Sequence, residues 1–207
     1  AMCVQEKAPE APWAYFEKGQ SFRIGDIVIT PFPTYHDAVD PVGFKFETER
    51  SSLGFISDTG QAPGCIAEYL AMVDSLVVES NYDPDMLAAT PRRPWPLKQR
   101  IASAHGHLSN EQACDLLRRI AHGALKNVVL AHLSAESNSP ALAESLMRDT
   151  CMTWGWLPPP CSAPARTPAC RGYGSAEYAF FPVPPAMFLS TCEIMSTIIG
   201  ALAGSIA

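Results

Sequence analysis

Leu53-Gly-Phe-Ile-Ser-Asp-Thr-Gly60 is an apolar run that ends on a carboxylate and a tight polar turn. Two other stretches have the same form. Ser75-Leu-Val-Val-Glu79 closes on an acid, and Val128-Val-Leu-Ala-His132 closes on an imidazole. Short apolar runs bounded by turn signals are buried strands. Helical spacing follows the first two. Ile66, Tyr69, Leu70 and Val73 share one side of 62–73, and Ala113, Leu116, Leu117 and Ile120 form a stripe after Ser109. Ser109 with Gln112 is a capping-box pattern, and Gly123 suits the C′ position of that helix. Ser139 caps a last helix, with Pro140 at its first position, that runs to about Met152. Strand, helix, strand, helix, strand, helix is the order of a layered α/β domain.

Upstream, residues 22–30 alternate as a strand that Pro31-Phe-Pro33 should interrupt. Residues 42–47 and 53–57 predict an antiparallel pair joined by the polar turn 48–52. Residues 84–96 are rich in Pro and Arg and read as loop. Downstream of Trp154 the composition changes: 158–185 hold eight prolines and no period. That segment reads as irregular. The expected division is therefore a folded unit over 1–155 and an irregular, Pro-rich and apolar tail over 156–207.

The chain has 207 residues, 47% apolar and 17% charged, which is enough for one core. Its formal net charge of −6 argues against a protein that coats nucleic acid, but leaves room for a local basic groove. Seven cysteines, an odd number with no C-x-x-C, read as reduced thiols and not as a disulfide framework or zinc ribbon. The expected location is cytoplasmic. No signal peptide is legible at the start. The apolar stretch 186–207 is interrupted by Glu193 and several hydroxyl residues, which favours a buried or disordered tail over a membrane anchor.

The residues that can carry chemistry sit at these strand and helix ends, where α/β domains place their crevices. Taken singly, Asp58 reads as a turn cap through the Thr59 or Gly60 amides, and His132 as a hydrogen-bonded core histidine. His107 precedes a capped helix and suits a general acid, or is a polar loop residue. His36 lines the same cleft or pairs with Asp37 or Asp40. Glu79 can orient a ligand histidine from behind. His122, in a last helical turn, has no catalytic role. Arg92, Arg93, Lys98 and Arg100, with Trp95 among them, form the one basic cluster. It reads either as a phosphate-backbone groove with a stacking aromatic or as a solvated loop.

In order, the motifs Thr34-Tyr-His-Asp-Ala38, Ser57-Asp-Thr-Gly60, Val78-Glu-Ser-Asn-Tyr-Asp83, Pro94-Trp-Pro-Leu-Lys-Gln-Arg-Ile101, Gly106-His-Leu-Ser-Asn-Glu111 and Leu130-Ala-His-Leu-Ser134 resemble the metallo-β-lactamase fold superfamily. Within it the run from Glu79 to Ile101 is similar to the WalJ/YycJ-like branch of DNA exonucleases. The resemblance covers roughly residues 20–153. It implies a two-metal hydrolase in which Asp58 is the bridging metal ligand, His132 the last histidine ligand, and His107 the catalytic residue facing the scissile phosphate. The ions it implies are zinc or manganese. The substrate it implies is DNA or another phosphodiester.

The same resemblance implies a first half with an H-x-H-x-D-H signature, which this sequence does not contain. Its one H-x-H, His105-Gly-His107, continues as Leu108-Ser109-Asn110. The expected architecture is thus α/β: a partial metallo-β-lactamase-type αββα sandwich, its C-terminal half, with an irregular Pro-rich tail. With Asp58 and His132 as the two ligands, weak or no metal binding and no hydrolysis are expected. The sheet face built to meet the other half should be exposed. The alternatives are a non-enzymatic half-fold module and a hydrolase of the same fold acting on another substrate.

Overall fold

The structure is a computed structural model that describes residues 14–153 and the strand Glu177–Pro182. Its elements run β1 (Phe22–Ile24), β2 (Ile27–Pro33), β3 (Val42–Glu47), β4 (Ser52–Ile56), α1 (Gly64–Leu70), β5 (Ser75–Glu79), α2 (Pro84–Ala89), α3 (Trp95–Ile101), α4 (Asn110–Ile120), β6 (Asn127–Leu133), α5 (Pro140–Met152) and β7 (Glu177–Pro182). The strands form one sheet in chain order. β1 to β4 pair antiparallel, β4, β5 and β6 are parallel, and β7 returns antiparallel to β6. The parallel strands are the three runs that end on Asp58, Glu79 and His132. Parallel register puts their C-terminal ends along one sheet edge, which is why the motifs converge.

Side-chain alternation divides the sheet. Ile56, Leu76, Val78, Val128 and Leu130 face α1, α4 and α5, and pack with Ile66, Leu70, Leu116, Leu117 and Met147 into the main core. Leu53, Val77, Val129 and Ala131 point to the other face with Phe46 and Phe55 beside them. No helix among the described residues contributes to that second cluster. The four are nonetheless only 5–7% exposed, so this face is not the open surface expected of it.

Several local expectations are revised. The 22–30 strand is a hairpin: Gly25, at φ 60°, turns the chain between β1 and β2. β2 then runs through both prolines. Pro31 O accepts from Gly19 N at 2.7 Å, so Pro31 presents its N and C=O away from β3, on the side β1 no longer covers. A nitrogen without a proton costs nothing there. The 84–96 loop contains α2, whose Pro84 is a helix-opening residue behind the Asp83 cap, and the start of α3. α4 has the full capping box, but it ends on Ala121 rather than on a Gly123 cap. α1 is shorter than its apolar stripe, with Pro63 before it and Met72 at φ 59° just beyond its end.

Within the stretch read as irregular, Glu177–Pro182 forms a strand, in keeping with its aromatic run. The remainder of the tail, the N-terminal stretch before residue 14 and Cys3, Cys161, Cys170 and Cys192 lie outside the described residues. The described cysteines Cys65, Cys114 and Cys151 are free. No helix among the described residues is long and apolar enough to cross a membrane.

Candidate metal centre

Glu79 closes β5 and is fully buried. An isolated carboxylate at that depth would be costly, so its oxygens must be satisfied. Oε1 accepts from His107 Nδ1 at 2.6 Å and from His132 Nδ1 at 2.7 Å, and Oε2 accepts from the Thr59 amide at 3.0 Å. Burial pushes the carboxyl up, but these hydrogen bonds outweigh it and hold Glu79 below the usual carboxylate range. The same hydrogen bond raises His132 above an ordinary imidazole, against the opposing effect of burial. With Nδ1 of both rings held by Glu79, Nε2 is the atom each histidine has left to offer a metal.

Asp58 follows β4 and is half exposed. Its Oδ1 lies 3.6 Å from His132 Nδ1, 3.9 Å from His107 Nδ1 and 4.0 Å from His36 Nε2. It does not cap its own turn: the Thr59 amide goes to Glu79, and the Gly60 amide goes to Tyr35 O at 2.8 Å. Both Asp58, at φ 53°, and His132, at φ 57°, hold left-handed backbone, which is uncommon outside glycine and costs of order 1–3 kcal/mol for each residue. His132 reaches it inside β6, where pairing with β7 slips between Leu130 and Leu133. Asn81 Nδ2 fixes the His132 carbonyl at 2.8 Å.

Gly60 explains the rest of the D-T-G pattern. A Cβ there would meet Ser103 O at 2.2 Å, and one on Gly106 would meet Arg100 O at 2.2 Å. The two glycines let the 103–106 loop close on the Asp58 turn and so set His107 beside it. The His107 amide donates to Ile101 O at 2.9 Å, tying it to the end of α3.

His36 belongs to the same group. Its Nδ1 donates to Gly106 O at 2.9 Å, its ring lies 5.0 Å from that of His107, and its Nε2 lies 3.4 Å from Asp37 Oδ1, the pairing offered from the sequence, and 4.0 Å from Asp58 Oδ1. His107 and His132 are 5.1 Å apart by ring centres. His105 is exposed outside this cluster. His122 is structural, with Nε2 donating to Val73 O at 3.0 Å and Nδ1 accepting from Ala124 N. Ser109 and Asn110 serve the fold: Ser109 caps α4, and Asn110 bonds Ser80 Oγ at 2.6 Å and Asn138 at 2.9 Å in a buried polar network.

One donor atom from each of Asp58, Glu79, His107 and His132 can be chosen so that all lie within 4.8 Å of one another. Glu79 is the supporting member, since both its oxygens are spent on N–H donors. Asp58, His107 and His132, with His36 alongside, remain as a mixed imidazole and carboxylate set that could hold a divalent metal ion. The donor count exceeds the Asp58 and His132 pair read from the sequence. Thr59, whose amide anchors Glu79, was not legible as a site residue. Its signal is the buried hydroxyl residue inside D-T-G.

Residues 2–133 match the family model described as the beta-lactamase superfamily domain. Over 132 residues the chain is 36% identical to exodeoxyribonuclease WalJ of Streptococcus pneumoniae, covering 64% of this chain and 49% of that protein. Over 128 residues it is 34% identical to exodeoxyribonuclease YycJ of Bacillus anthracis, covering 62% and 48%. The chain thus spans about half the length of these curated relatives. Among solved structures, the metallo-beta-lactamase fold protein YhfI of Bacillus subtilis superposes with a TM-score of 0.52 at 14% identity, covering 70% of this chain and 54% of that one. The strand-end carboxylates and histidines, the parallel core strands and these matches agree: the chain belongs to the metallo-β-lactamase superfamily, on its WalJ/YycJ-like branch.

Proposed function

We propose that this chain carries the C-terminal share of a metal-dependent phosphodiesterase site acting on DNA as an exonuclease. The observation that supports it is Glu79, a buried carboxylate that aims two histidines beside Asp58. Divalent ions bound there, zinc or manganese, would supply an acidified water and stabilise charge on phosphate oxygens. Asp58 and His132 are the metal ligands, and His36 offers a further imidazole. Glu79 holds the Nδ1 protons and fixes both rings. His107 would protonate a leaving oxygen from Nε2 of its imidazolium form, with its Nδ1–H held by Glu79. The free cysteines fit a reducing, cytoplasmic setting.

Without the H-x-H-x-D-H ligands, the 207-residue chain takes up metal weakly and does not hydrolyse DNA. Metal content after dialysis, measured for the parent and for Asp58→Ala and His132→Ala, tests the first part. Weak uptake that both substitutions abolish is expected, and tightly held stoichiometric metal would refute the half-site. Assay of a longer form that carries the signature, on end-labelled DNA, tests the second. Cleavage of a cyclic phosphate or an ester but not of DNA would sink the exonuclease reading.

A further inference from the structure

The segment 92–101 borders the metal centre at both ends. At one end, Arg93 Nη2 donates to Ser134 Oγ at 3.3 Å, two residues past His132. At the other, Arg100 pairs with Asp37, next to His36, and Ile101 O receives the His107 amide. Leu97 and Ile101 turn inward with Tyr82 and Leu87. Helical spacing puts Trp95 on the opposite side of α3, and its indole is 66% exposed between Pro94 and Pro96. An exposed indole in a segment that also carries Arg92 and Arg93 offers a flat face on which a base can stack.

Two arginines precede Trp95, and both share Glu136 as their acidic partner; Arg93 is the more buried, at 26% exposed. Arg92, 78% exposed, lies 3.8 Å from Glu136 Oε1, an exposed pair worth little. Arg93 Nε, 3.3 Å from Glu136 Oε2, is too poorly aligned to make a hydrogen bond. In a chain of net charge −6, Arg92 and Arg93 form a local cationic rim, and Glu136 is the acid paired with both of them among the described residues.

We propose that Arg92, Arg93 and Trp95 form a strand-holding rim for single-stranded DNA, with the guanidiniums on backbone phosphates and the indole stacked on a base. The proposal rests on the nucleic-acid reading of the site. Stacking on an exposed aromatic is sequence-tolerant, so the rim positions a strand end at Asp58 and His107 without reading its sequence. Glu136 competes with phosphate for both arginines and sets how tightly the strand is held.

The test is fluorescence anisotropy of the 207-residue chain with labelled oligothymidylate and with an abasic strand of equal length, in chelator so that metal plays no part. Trp95→Ala should weaken oligothymidylate binding about 5- to 100-fold and leave abasic-strand binding unchanged, while Trp95→Phe retains most of the affinity. Arg92→Gln should weaken both strands and lower the slope of log K against log salt by about 0.7. Glu136→Gln should tighten both. No binding by the parent at low salt, or equal loss on both strands with Trp95→Ala, overturns the rim. A chain that takes up metal yet ignores DNA refutes the rim alone. One that binds DNA yet takes up no metal refutes the metal centre alone.

Discussion

Replacing Glu79 by Gln sets an amide where a carboxylate receives N–H groups on both oxygens. In either orientation the NH2 faces a donor, the Thr59 amide or the two Nδ1 atoms. The histidines lose their fixed tautomer and aim. Metal affinity measured by calorimetry should fall about 10- to 100-fold. The variant should also lose about 1–3 kcal/mol of stability from the unmatched buried group. Since the hydrogen bond to Glu79 is what raises His132, NMR titration of Glu79→Gln should find that imidazole closer to its ordinary value. Asp58→Asn separates ligation from folding. Asn tolerates the left-handed backbone at φ 53° as Asp does, and the site is half exposed. Urea unfolding should change by less than about 0.5 kcal/mol while metal uptake is lost. At this scale the sequence marks candidate residues but not how they meet. Asp58 and His132 stand out by following apolar runs, and His107 by preceding a capped helix. The convergence of two imidazoles on one oxygen of Glu79 depends on the parallel register of β5 with β6, which no local pattern encodes.

Among the elements, the start of the parallel strands is held by Asp74. Its carboxylate accepts from the Ser52 amide at 2.8 Å, from Ser52 Oγ at 3.0 Å and from Lys126 Nζ at 2.7 Å, and its carbonyl takes the Lys126 amide. One residue therefore ties the entries to β4, β5 and β6. Burial pushes Asp74 up, but the Lys126 and Ser52 hydrogen bonds win and hold it below the usual range. A carboxyl lowered in the folded state contributes stability above its unfolded pKa, roughly 3.9, and loses it as pH falls through the folded value. Asp74→Asn should thus cost about 1–2 kcal/mol at neutral pH, with the gap to the parent closing in more acidic unfolding experiments. Elements with local chemistry were legible: the Ser109 and Gln112 box and the Ser139-Pro140 start of α5 are both formed. Those that depend on context were not. Pro31 and Pro33 look like strand breakers until the short reach of β1 leaves one side of β2 free. The proline-rich stretch hides α2 because Pro84 opens that helix instead of ending it.

Across the whole molecule, the proposed donor groups come from widely separated parts of the chain: His36 after β2, Asp58 after β4 and His132 within β6. An ion held by them would crosslink the meander and the parallel strands at once, and no unfolded chain presents those donors together. Binding to the native state alone stabilises by RT ln(1 + [L]/Kd), about 2.7 kcal/mol at one hundred times Kd. For a chain of 207 residues, each kcal/mol moves the unfolding midpoint by roughly 2–4 °C. Zinc raised to that level should therefore lift the midpoint by about 5–10 °C in scanning calorimetry. Because uptake is expected to be weak, the rise should keep growing with added zinc instead of ending at one equivalent. Asp58→Asn should be flat over the same titration, and Trp95→Ala should follow the parent, since the rim lies outside the ligand set. A parent whose midpoint ignores zinc would mean that the left-handed backbone at Asp58 and His132 is strain held for something other than a metal.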